Sequence, residues 1–195
     1  MIWTSQKIIL ASQSPRRKEI LEMIGLKFVV QKSRYEETRI DDKSPAELVE
    51  FHAIGKAKEV AEKYSNELVI GSDTIVVINN EILEKPKSEE EAFEMLRKLS
   101  GKTHEVQTGV AIVNSKNGKT ISFVEITEVT FFPLSDEMIT HYLHNYKYAD
   151  KAGSYAIQDY SGLFVEKING CFYNVVGFPV SRFNNFMNDK YHKLG

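Results

Sequence analysis

The chain has 195 residues, of which 42% are hydrophobic and 27% charged, a composition typical of an ordinary globular protein. Its 25 Lys and Arg residues nearly balance 27 Asp and Glu residues, and the resulting formal net charge of −2 argues against a protein that coats nucleic-acid polymers or anionic membranes. Because it has one cysteine, no apolar run of the ~18 residues that a membrane span needs and no signal-peptide core, we expect a cytoplasmic protein without disulfides or a membrane segment.

Strand and helix signals alternate from the start of the chain. An apolar run predicts a buried strand at residues 7–11, and a second strand is expected at residues 28–31. Between them, Ser14 supplies an N-cap and Pro15 the first position of a helix that Gly25 ends.

A second helix begins at a capping box. In Ser44-Pro45-Ala46-Glu47 the serine precedes the glutamate by three residues, and proline takes the first helical position. We expect this helix to end near Lys63 and to bury one face. The residues expected on that face are Leu48, Phe51, Ala57 and Val60 or Ala61.

The middle of the chain predicts short strands and a third helix. Two apolar runs within residues 67–78 are interrupted by Gly71-Ser72-Asp73-Thr74. Asn79-Asn80 is a hairpin turn signal that leads into a returning strand at residues 81–83. Ser88-Glu89-Glu90-Glu91 predicts the start of a helix that ends at Ser100-Gly101.

The C-terminal half predicts two hairpins. Alternating strands at residues 103–113 and 120–132 form the first hairpin, and the second is expected at residues 163–176 around Asn169-Gly170.

Two further helices complete the prediction, one at residues 135–146 and one that begins at Pro179, with an irregular loop at residues 147–162. Helices that flank a sheet with antiparallel hairpins indicate an α/β protein with a mixed sheet. Since there is no repeat or linker, residues 1–195 are expected to form a single domain.

The turn after the first strand is rich in positive charge. Ser12-Gln13-Ser14-Pro15-Arg16-Arg17-Lys18 places three cations at a helix N-terminus, where the helix dipole favours an anion instead. A bound polyphosphate would compensate these charges. The alternative is a solvated basic turn paired with Glu19 and Glu22.

Acidic residues follow two of the predicted strands. Asp73, after a buried run, is costly unless it is paired or binds metal, and open α/β sheets carry their sites at the carboxyl ends of strands. Tyr35-Glu36-Glu37-Thr38 could supply a second metal ligand after the second strand. The alternatives are a turn or N-cap role for Asp73 and a solvent-facing pair for Glu36 and Glu37.

Three further polar positions are candidates. Lys85, beside Pro86, could contact phosphate, although a lone lysine usually faces solvent. Lys56 lies on the second helix beside Gly55 and near its buried stripe, where a snorkelling lysine at the boundary of that face is the ordinary explanation. Gln158 lies in a polar loop and could recognise a base, because its amide both donates and accepts hydrogen bonds. An ordinary surface loop is the alternative.

Other chemistries have little support in the sequence. The five histidines are scattered, and His141 and His144, three residues apart on a predicted helix, lack an evident third metal ligand. No Walker A motif, Gly-x-Ser-x-Gly elbow or Gly-x-Gly-x-x-Gly fingerprint occurs. Cys171 has no basic neighbour that would activate its thiol.

Six segments, in this order and over about residues 7–179, resemble the Maf family of nucleoside triphosphate pyrophosphatases. They are Ala11-Ser12-Gln13-Ser14-Pro15-Arg16-Arg17, Gly71-Ser72-Asp73-Thr74, Glu84-Lys85-Pro86, Leu99-Ser100-Gly101-Lys102-Thr103-His104, Asp150-Lys151-Ala152-Gly153-Ser154-Tyr155 and Val175-Val176-Gly177-Phe178-Pro179.

The resemblance implies a fold and a reaction. The fold would be the Maf α/β fold, with two lobes around a cleft and a relation to the inosine triphosphate pyrophosphatases. The reaction would be hydrolysis of a nucleoside triphosphate to the monophosphate and pyrophosphate with a divalent cation, Mg²⁺ or Mn²⁺. A homodimer is also implied by the resemblance.

The resemblance also implies roles for single residues. Asp73 matches the catalytic acid/base position and would hold the metal together with Glu37. The positions that would bind the triphosphate are Ser12, Arg16, Arg17, Lys56 and Lys85.

Two positions speak to the substrate. Thr74 after Asp73 and Gln158 after Ile157 are similar to the dTTP/UTP branch of the family, so these two residues, with Arg16, would set specificity. The chain departs from the usual Gly-rich run at Asp159-Tyr160-Ser161. A non-catalytic nucleotide-binding regulator of cell division is the alternative function.

Overall fold

The computed structural model describes residues 6–38, 40 and 42–195. Strands and helices alternate along the first half of the chain, and two long strands open the second half. The elements are β1 (Ile8–Leu10), α1 (Pro15–Met23), β2 (Phe28–Val30), α2 (Pro45–Ala61), β3 (Leu68–Ile78), β4 (Glu81–Leu83), α3 (Glu89–Leu99), β5 (Thr103–Asn114), β6 (Thr120–Phe131), α4 (Asp136–Asn145), β7 (Val165–Asn169), α5 (Phe172–Val176) and α6 (Val180–Lys190).

The strands of the described residues form one seven-stranded sheet in the order β2-β1-β3-β5-β6-β7, with β4 paired to β3. The β1 strand runs parallel to both neighbours, so Ile9 lies beside Val29 of β2 and Val69 of β3. The β3–β4 and β6–β7 pairs are antiparallel. The predicted α/β class with a mixed sheet and flanking helices is therefore confirmed.

The chain divides into two compact units. The first unit contains residues 1–73, 108–125 and 177–195, and the second contains residues 74–107 and 126–176. Because β3, β5 and β6 are long, each contributes one part of its length to either unit.

In the first unit, α2 packs directly on the sheet. A side chain at Gly71 of β3 would overlap the carbonyl oxygen of Ala53, and one at Gly109 of β5 would overlap that of Val49. These glycines therefore allow the helix backbone to approach the strands with no side chain between them. Small and β-branched residues fill the rest of the contact, including Ile9, Ala57, Val60, Val69 and Ala111.

The second unit has an aromatic core. Phe131 of β6 contacts Phe164 edge-on, and Phe164 contacts Tyr142 of α4 in the same way. Leu96 and Leu99 of α3 are buried in the same cluster. This core anchors the C-terminal end of β6 and the long segment between α4 and β7.

The helix starts form as the sequence predicts. Ser14, Ser44, Ser88 and Ser135 are N-caps, and each side chain accepts a hydrogen bond from the backbone amide three residues later. Asn79 and Asn80 both have positive φ, as a tight hairpin between β3 and β4 requires.

Three local predictions are wrong. The Gly71–Thr74 segment does not interrupt a strand, because β3 runs unbroken from Leu68 to Ile78 and the glycine serves the helix contact instead. Phe51 is exposed and not buried, since the buried face of α2 is formed by Leu48, Val49, His52, Ala53, Ala57, Val60 and Ala61.

The hairpin predicted around Asn169-Gly170 also does not form. The β7 strand pairs back onto β6, and the residues after Gly170 begin α5 instead of a returning strand. Within the predicted irregular loop, Ala152–Ser154 form a short 3-10 turn, and Tyr160–Phe164 form another that overlaps its end.

Among the described residues, no helix combines the length and apolar character that crossing a membrane requires.

We predict that Gly71→Ala destabilises the protein. The new methyl group would overlap the Ala53 carbonyl and come within 2.8 Å of the Ala57 amide nitrogen, so helix and strand must separate. Overpacking of this kind costs about 1–3 kcal/mol, measurable as a lower urea midpoint. Ser72→Ala is the control, because it removes a buried hydroxyl that has no hydrogen-bond partner among the residues that the structure describes, and it should be neutral or stabilising. Equal urea midpoints for Gly71→Ala and the wild type would contradict the close helix contact.

Candidate functional site

A buried ion pair lies at the centre of the first unit's polar residues. The Asp73 side chain, in β3, is buried, and its Oδ1 accepts a hydrogen bond from Lys56 Nζ at 2.7 Å. Lys56 Nζ also lies 3.5 Å from the Ser72 carbonyl oxygen. The lysine side chain is only 12% exposed, so the ammonium group lies against Asp73 and is largely shielded from solvent.

The position of Lys56 follows from the packing of α2. Gly71 precedes Asp73 by two residues and therefore lies on the same face of β3. Its missing side chain lets the helix backbone come close at that point, and Lys56 extends from the adjacent turn of the helix to Asp73.

Glu37 completes the acidic pair. Its Oε1 lies 2.6 Å from Lys56 Nζ, although the Glu37 side chain is 48% exposed. Two carboxylates thus share one ammonium group, and their nearest oxygens are no farther apart than the sum of these two short distances.

The pKa of Asp73 is lowered by its surroundings. Burial alone would raise this pKa, but the charge and hydrogen bond of Lys56, together with the charges of Arg17 and His52, more than offset burial. Asp73 is therefore ionised at neutral pH.

The first turn of α1 presents its polar groups toward the same residues. Ser12 is buried, and its Oγ accepts hydrogen bonds from the Ser14 amide at 3.2 Å and from Arg17 Nη1 at 3.4 Å. Arg17 Nε donates to the Gly177 carbonyl at 3.0 Å. These contacts fix the guanidinium next to the helix N-terminus.

Arg17 belongs electrostatically to the ion pair. Burial lowers the pKa of Arg17, while the charges of Asp73 and Glu37 act in the opposite direction. Arg16 is partly buried, and Lys18 is exposed and pairs with Glu22 at 3.7 Å. Two residues of the predicted basic turn therefore behave differently. Lys18 forms a solvent-exposed ion pair with Glu22, whereas Arg17 is fixed by hydrogen bonds to Ser12 and Gly177.

The remaining predicted site residues belong to the second unit. Thr74 directly follows Asp73 in β3 and is partly buried, whereas Lys85 and Gln158 are exposed. The Gly153 amide donates to the Glu84 carbonyl at 3.1 Å, which ties the loop that carries Gln158 to the turn that carries Lys85.

The Gln158 loop is fixed further by its neighbours in sequence. Lys151 is buried and lies 3.3 Å from Asp159 Oδ2, and Ser161 donates to Asp159 Oδ1 through both its amide and its hydroxyl. Tyr160 stacks on Tyr146, the residue that follows α4, with ring centroids 4.4 Å apart. These contacts hold the Asp159-Tyr160-Ser161 segment in place, and with it the loop that carries Gln158.

Behind this loop lies a buried histidine. His104 Nε2 and the Tyr155 hydroxyl are 2.8 Å apart, and Phe131 contacts both rings edge-on. Burial lowers the pKa of His104 to about 4 and raises that of Tyr155, so both are neutral at physiological pH. This pair holds the loop to β5.

Two residues that border the ion pair, His52 and Tyr35, have no role in the predictions from the sequence. His52 is buried on α2 one turn before Lys56, and its Nδ1 lies 3.1 Å from the Tyr35 hydroxyl. The i, i+4 spacing of His52 and Lys56 on a predicted helix was an available signal that they share a face.

The donor set suits a hard divalent cation. Among the described residues, no three His, Cys, Asp or Glu side chains converge as in a site built entirely from protein ligands. Mg²⁺ commonly binds through one or two carboxylates and completes its shell with water and substrate phosphates. Asp73 and Glu37, which already share one cation in Lys56 Nζ, fit that pattern.

A family model and two sequence relatives agree on one family. A family model described as Maf-like protein matches residues 7–190. Proteins named dTTP/UTP pyrophosphatase from Bacillus mycoides (strain KBAB4) and Bacillus cereus (strain ATCC 10987 / NRS 248) are each 51% identical over 177 residues, covering 91% of this chain and 92% and 86% of theirs. The solved Ham1 protein of Staphylococcus aureus is similar with a TM-score of 0.48 and 18% identity, over 65% of this chain and 72% of that one.

The lowered pKa of Asp73 predicts how stability changes in acid. A carboxylate whose pKa is depressed in the folded state stabilises the protein above its ordinary value of about 3.9, and this contribution is lost as the pH falls through the folded value. The free energy of unfolding of the wild type should therefore fall more steeply below about pH 5 than that of Asp73→Asn. Urea titrations from neutral pH to about pH 2.5 would measure both slopes. Parallel curves would contradict the assignment of the lowered pKa to Asp73.

Proposed function

The chain belongs to the Maf family, and on that premise we propose that it hydrolyses dTTP and UTP to the nucleoside monophosphate and pyrophosphate. The observation that carries the proposal is the buried Asp73–Lys56 pair, which Glu37 and Arg17 border. Burying an ionised carboxylate and a cluster of cations lowers the stability of the folded protein. Hydrolysis of a phosphoanhydride bond is a function that requires such a carboxylate.

The cations would bind the triphosphate. A nucleoside triphosphate carries about four negative charges, which four cationic side chains would offset. Arg17 is already held by Ser12 and Gly177 at the N-terminus of α1, so it loses little conformational freedom when an anion binds. We assign Arg16, Lys56 and Lys85 to the same task on the family motif.

Asp73 and Glu37 would hold the divalent cation. When bound, Mg²⁺ or Mn²⁺ would withdraw charge from the α-phosphoryl group and lower the pKa of a coordinated water.

Lys56 connects phosphate binding with Asp73. Its ammonium group holds Asp73 in the ionised form, which is the form that accepts a proton from water. Attack of that water on the α-phosphorus breaks the α–β anhydride bond and releases pyrophosphate.

Base selection is assigned to the second unit. Gln158 is exposed on a loop that the Lys151–Asp159 ion pair helps to hold in place. Its amide offers the donor and the acceptor that a uracil or thymine edge requires. Thr74 and Arg16 complete the specificity residues of this proposal. A non-catalytic nucleotide sensor would need no ionised carboxylate at the position of Asp73, so the enzyme is the favoured function. Homodimerisation and a cytoplasmic location remain predictions from the sequence.

Asp73→Asn should abolish turnover while leaving the protein folded. The substitution preserves size and removes the charge that would bind metal and accept a proton, so we expect at least a ~10²-fold loss in kcat. Hydrolysis of dTTP with Mn²⁺ or Mg²⁺, with separate assays for pyrophosphate and orthophosphate, measures both rate and cleavage point. Asp136→Asn, an exposed carboxylate on α4, is the matched control and should retain activity. Wild-type turnover by Asp73→Asn, or orthophosphate as the product, would refute the mechanism.

Gln158→Glu should impair pyrimidine substrates selectively. The variant loses the amide donor and adds a charge that repels the base oxygen O4, so kcat/KM for dTTP and UTP should fall about 10- to 100-fold. Steady-state rates with dTTP, UTP, CTP and GTP would be compared with those of Asn117→Asp, which adds the same charge on the β5–β6 turn. An equal loss for all four substrates would show that Gln158 supports the loop and does not read the base.

A further inference from the structure

Residues 31–38 follow β2 without regular secondary structure, yet the side chains of Ser33, Tyr35 and Glu37 contact one face of α2. The helix residues that receive them are His52, Gly55, Lys56 and Glu59. Their spacing of three and four residues places all four on a single face of the helix.

Glu59 anchors the beginning of this segment. Its Oε2 accepts hydrogen bonds from Ser33 Oγ at 3.0 Å and from the Arg34 amide at 2.9 Å. The Ser33 hydroxyl in turn accepts from the Tyr35 amide at 3.1 Å. The backbone of the segment is thus fixed immediately before Tyr35.

Tyr35 fixes the middle of the segment. Its ring lies on Gly55 so closely that a side chain at position 55 would overlap the ring. Its hydroxyl lies 3.1 Å from Nδ1 of the buried His52.

Glu37 ends this run of contacts, and its ion pair alone cannot position it. The Glu37 side chain is half exposed, and exposed ion pairs contribute little to holding flexible side chains. Ser33 and Tyr35 precede Glu37 in the segment, and their contacts with α2 restrict the positions that Glu37 can take.

We propose that Tyr35 is a positioning residue: seated on Gly55 and bonded to His52, it holds Glu37 beside Lys56 and Asp73 and thereby sets the affinity for the divalent cation. This inference rests on the proposed function. It assigns roles to Tyr35, His52, Gly55 and Glu59 through the placement of Glu37 and not through contact with substrate.

Three substitutions test the contacts. Gly55→Ala would displace the Tyr35 ring, although alanine is the better helix former and the melting temperature should not fall. Tyr35→Phe keeps the ring and removes the bond to His52, and Glu59→Gln removes the charge that holds the Ser33 and Arg34 donors. The controls are Lys58→Ala, on the exposed side of α2, and Tyr64→Phe.

Two measurements separate positioning from stability. Hydrogen exchange of a peptide that covers residues 33–38 reports the contacts without any ligand. Electron paramagnetic resonance titration of Mn²⁺, with a non-hydrolysable α,β-imido analogue of dTTP, reports cation affinity. We expect faster exchange and a Mn²⁺ dissociation constant raised ~10-fold in the three variants, the usual scale for residues that orient a metal ligand. In steady-state assays the half-saturating Mn²⁺ concentration should rise more than kcat falls, and the controls should match the wild type.

Each other outcome overturns a defined part of the inference. Unchanged exchange in Gly55→Ala and Tyr35→Phe would refute the docking of the segment. Faster exchange with unchanged Mn²⁺ affinity would refute the positioning role. If the wild type binds no Mn²⁺ with the analogue, the proposed function fails and the assigned role fails with it, while the exchange data still decide whether Tyr35 orders the segment.

Discussion

The ion pair between Asp73 and Lys56 is the interaction on which the candidate site depends. A carboxylate within a buried strand must be paired, because an isolated charge there would be strongly destabilising. Lys56 supplies that pairing at 2.7 Å and is itself largely buried, and because it also pairs with Glu37, Asp73→Asn does not leave its ammonium group without a carboxylate partner. The pair also keeps Asp73 ionised, against the effect of burial on its pKa.

Helix α2 brings together the polar residues of the first unit. One side of this helix packs on the sheet, where Gly71 and Gly109 leave room for its backbone. Another side carries His52, Gly55, Lys56 and Glu59, which receive the segment that contains Glu37. A single close helix–strand contact therefore positions both carboxylates, since Asp73 is on the strand and Glu37 is held through the helix.

In the second unit, contacts of neighbouring residues fix a loop that carries the exposed Gln158. Lys151 is buried with its charge offset by Asp159, and Tyr160 stacks on Tyr146, which follows α4. The neutral His104–Tyr155 pair fixes the preceding residues from behind. Gln158 can thus remain accessible while the backbone on both sides of it is anchored.

The sequence by itself determined the local elements and the family. Serine N-caps, hydrophobic periodicity and the Asn79-Asn80 turn fixed most helices and strands, because these signals act within a few residues. Tertiary structure decided the rest. Asn169-Gly170 suggested a hairpin, but β7 found its partner in β6, since strand pairing is settled by distant residues. Phe51 fits a helical stripe, yet it lies outside the face of α2 that the structure buries and is exposed. The family resemblance named Asp73, Lys56 and Glu37 one by one, and only the tertiary structure, with the close helix–strand approach at Gly71 and the Tyr35 ring packed on Gly55, shows those three charges together.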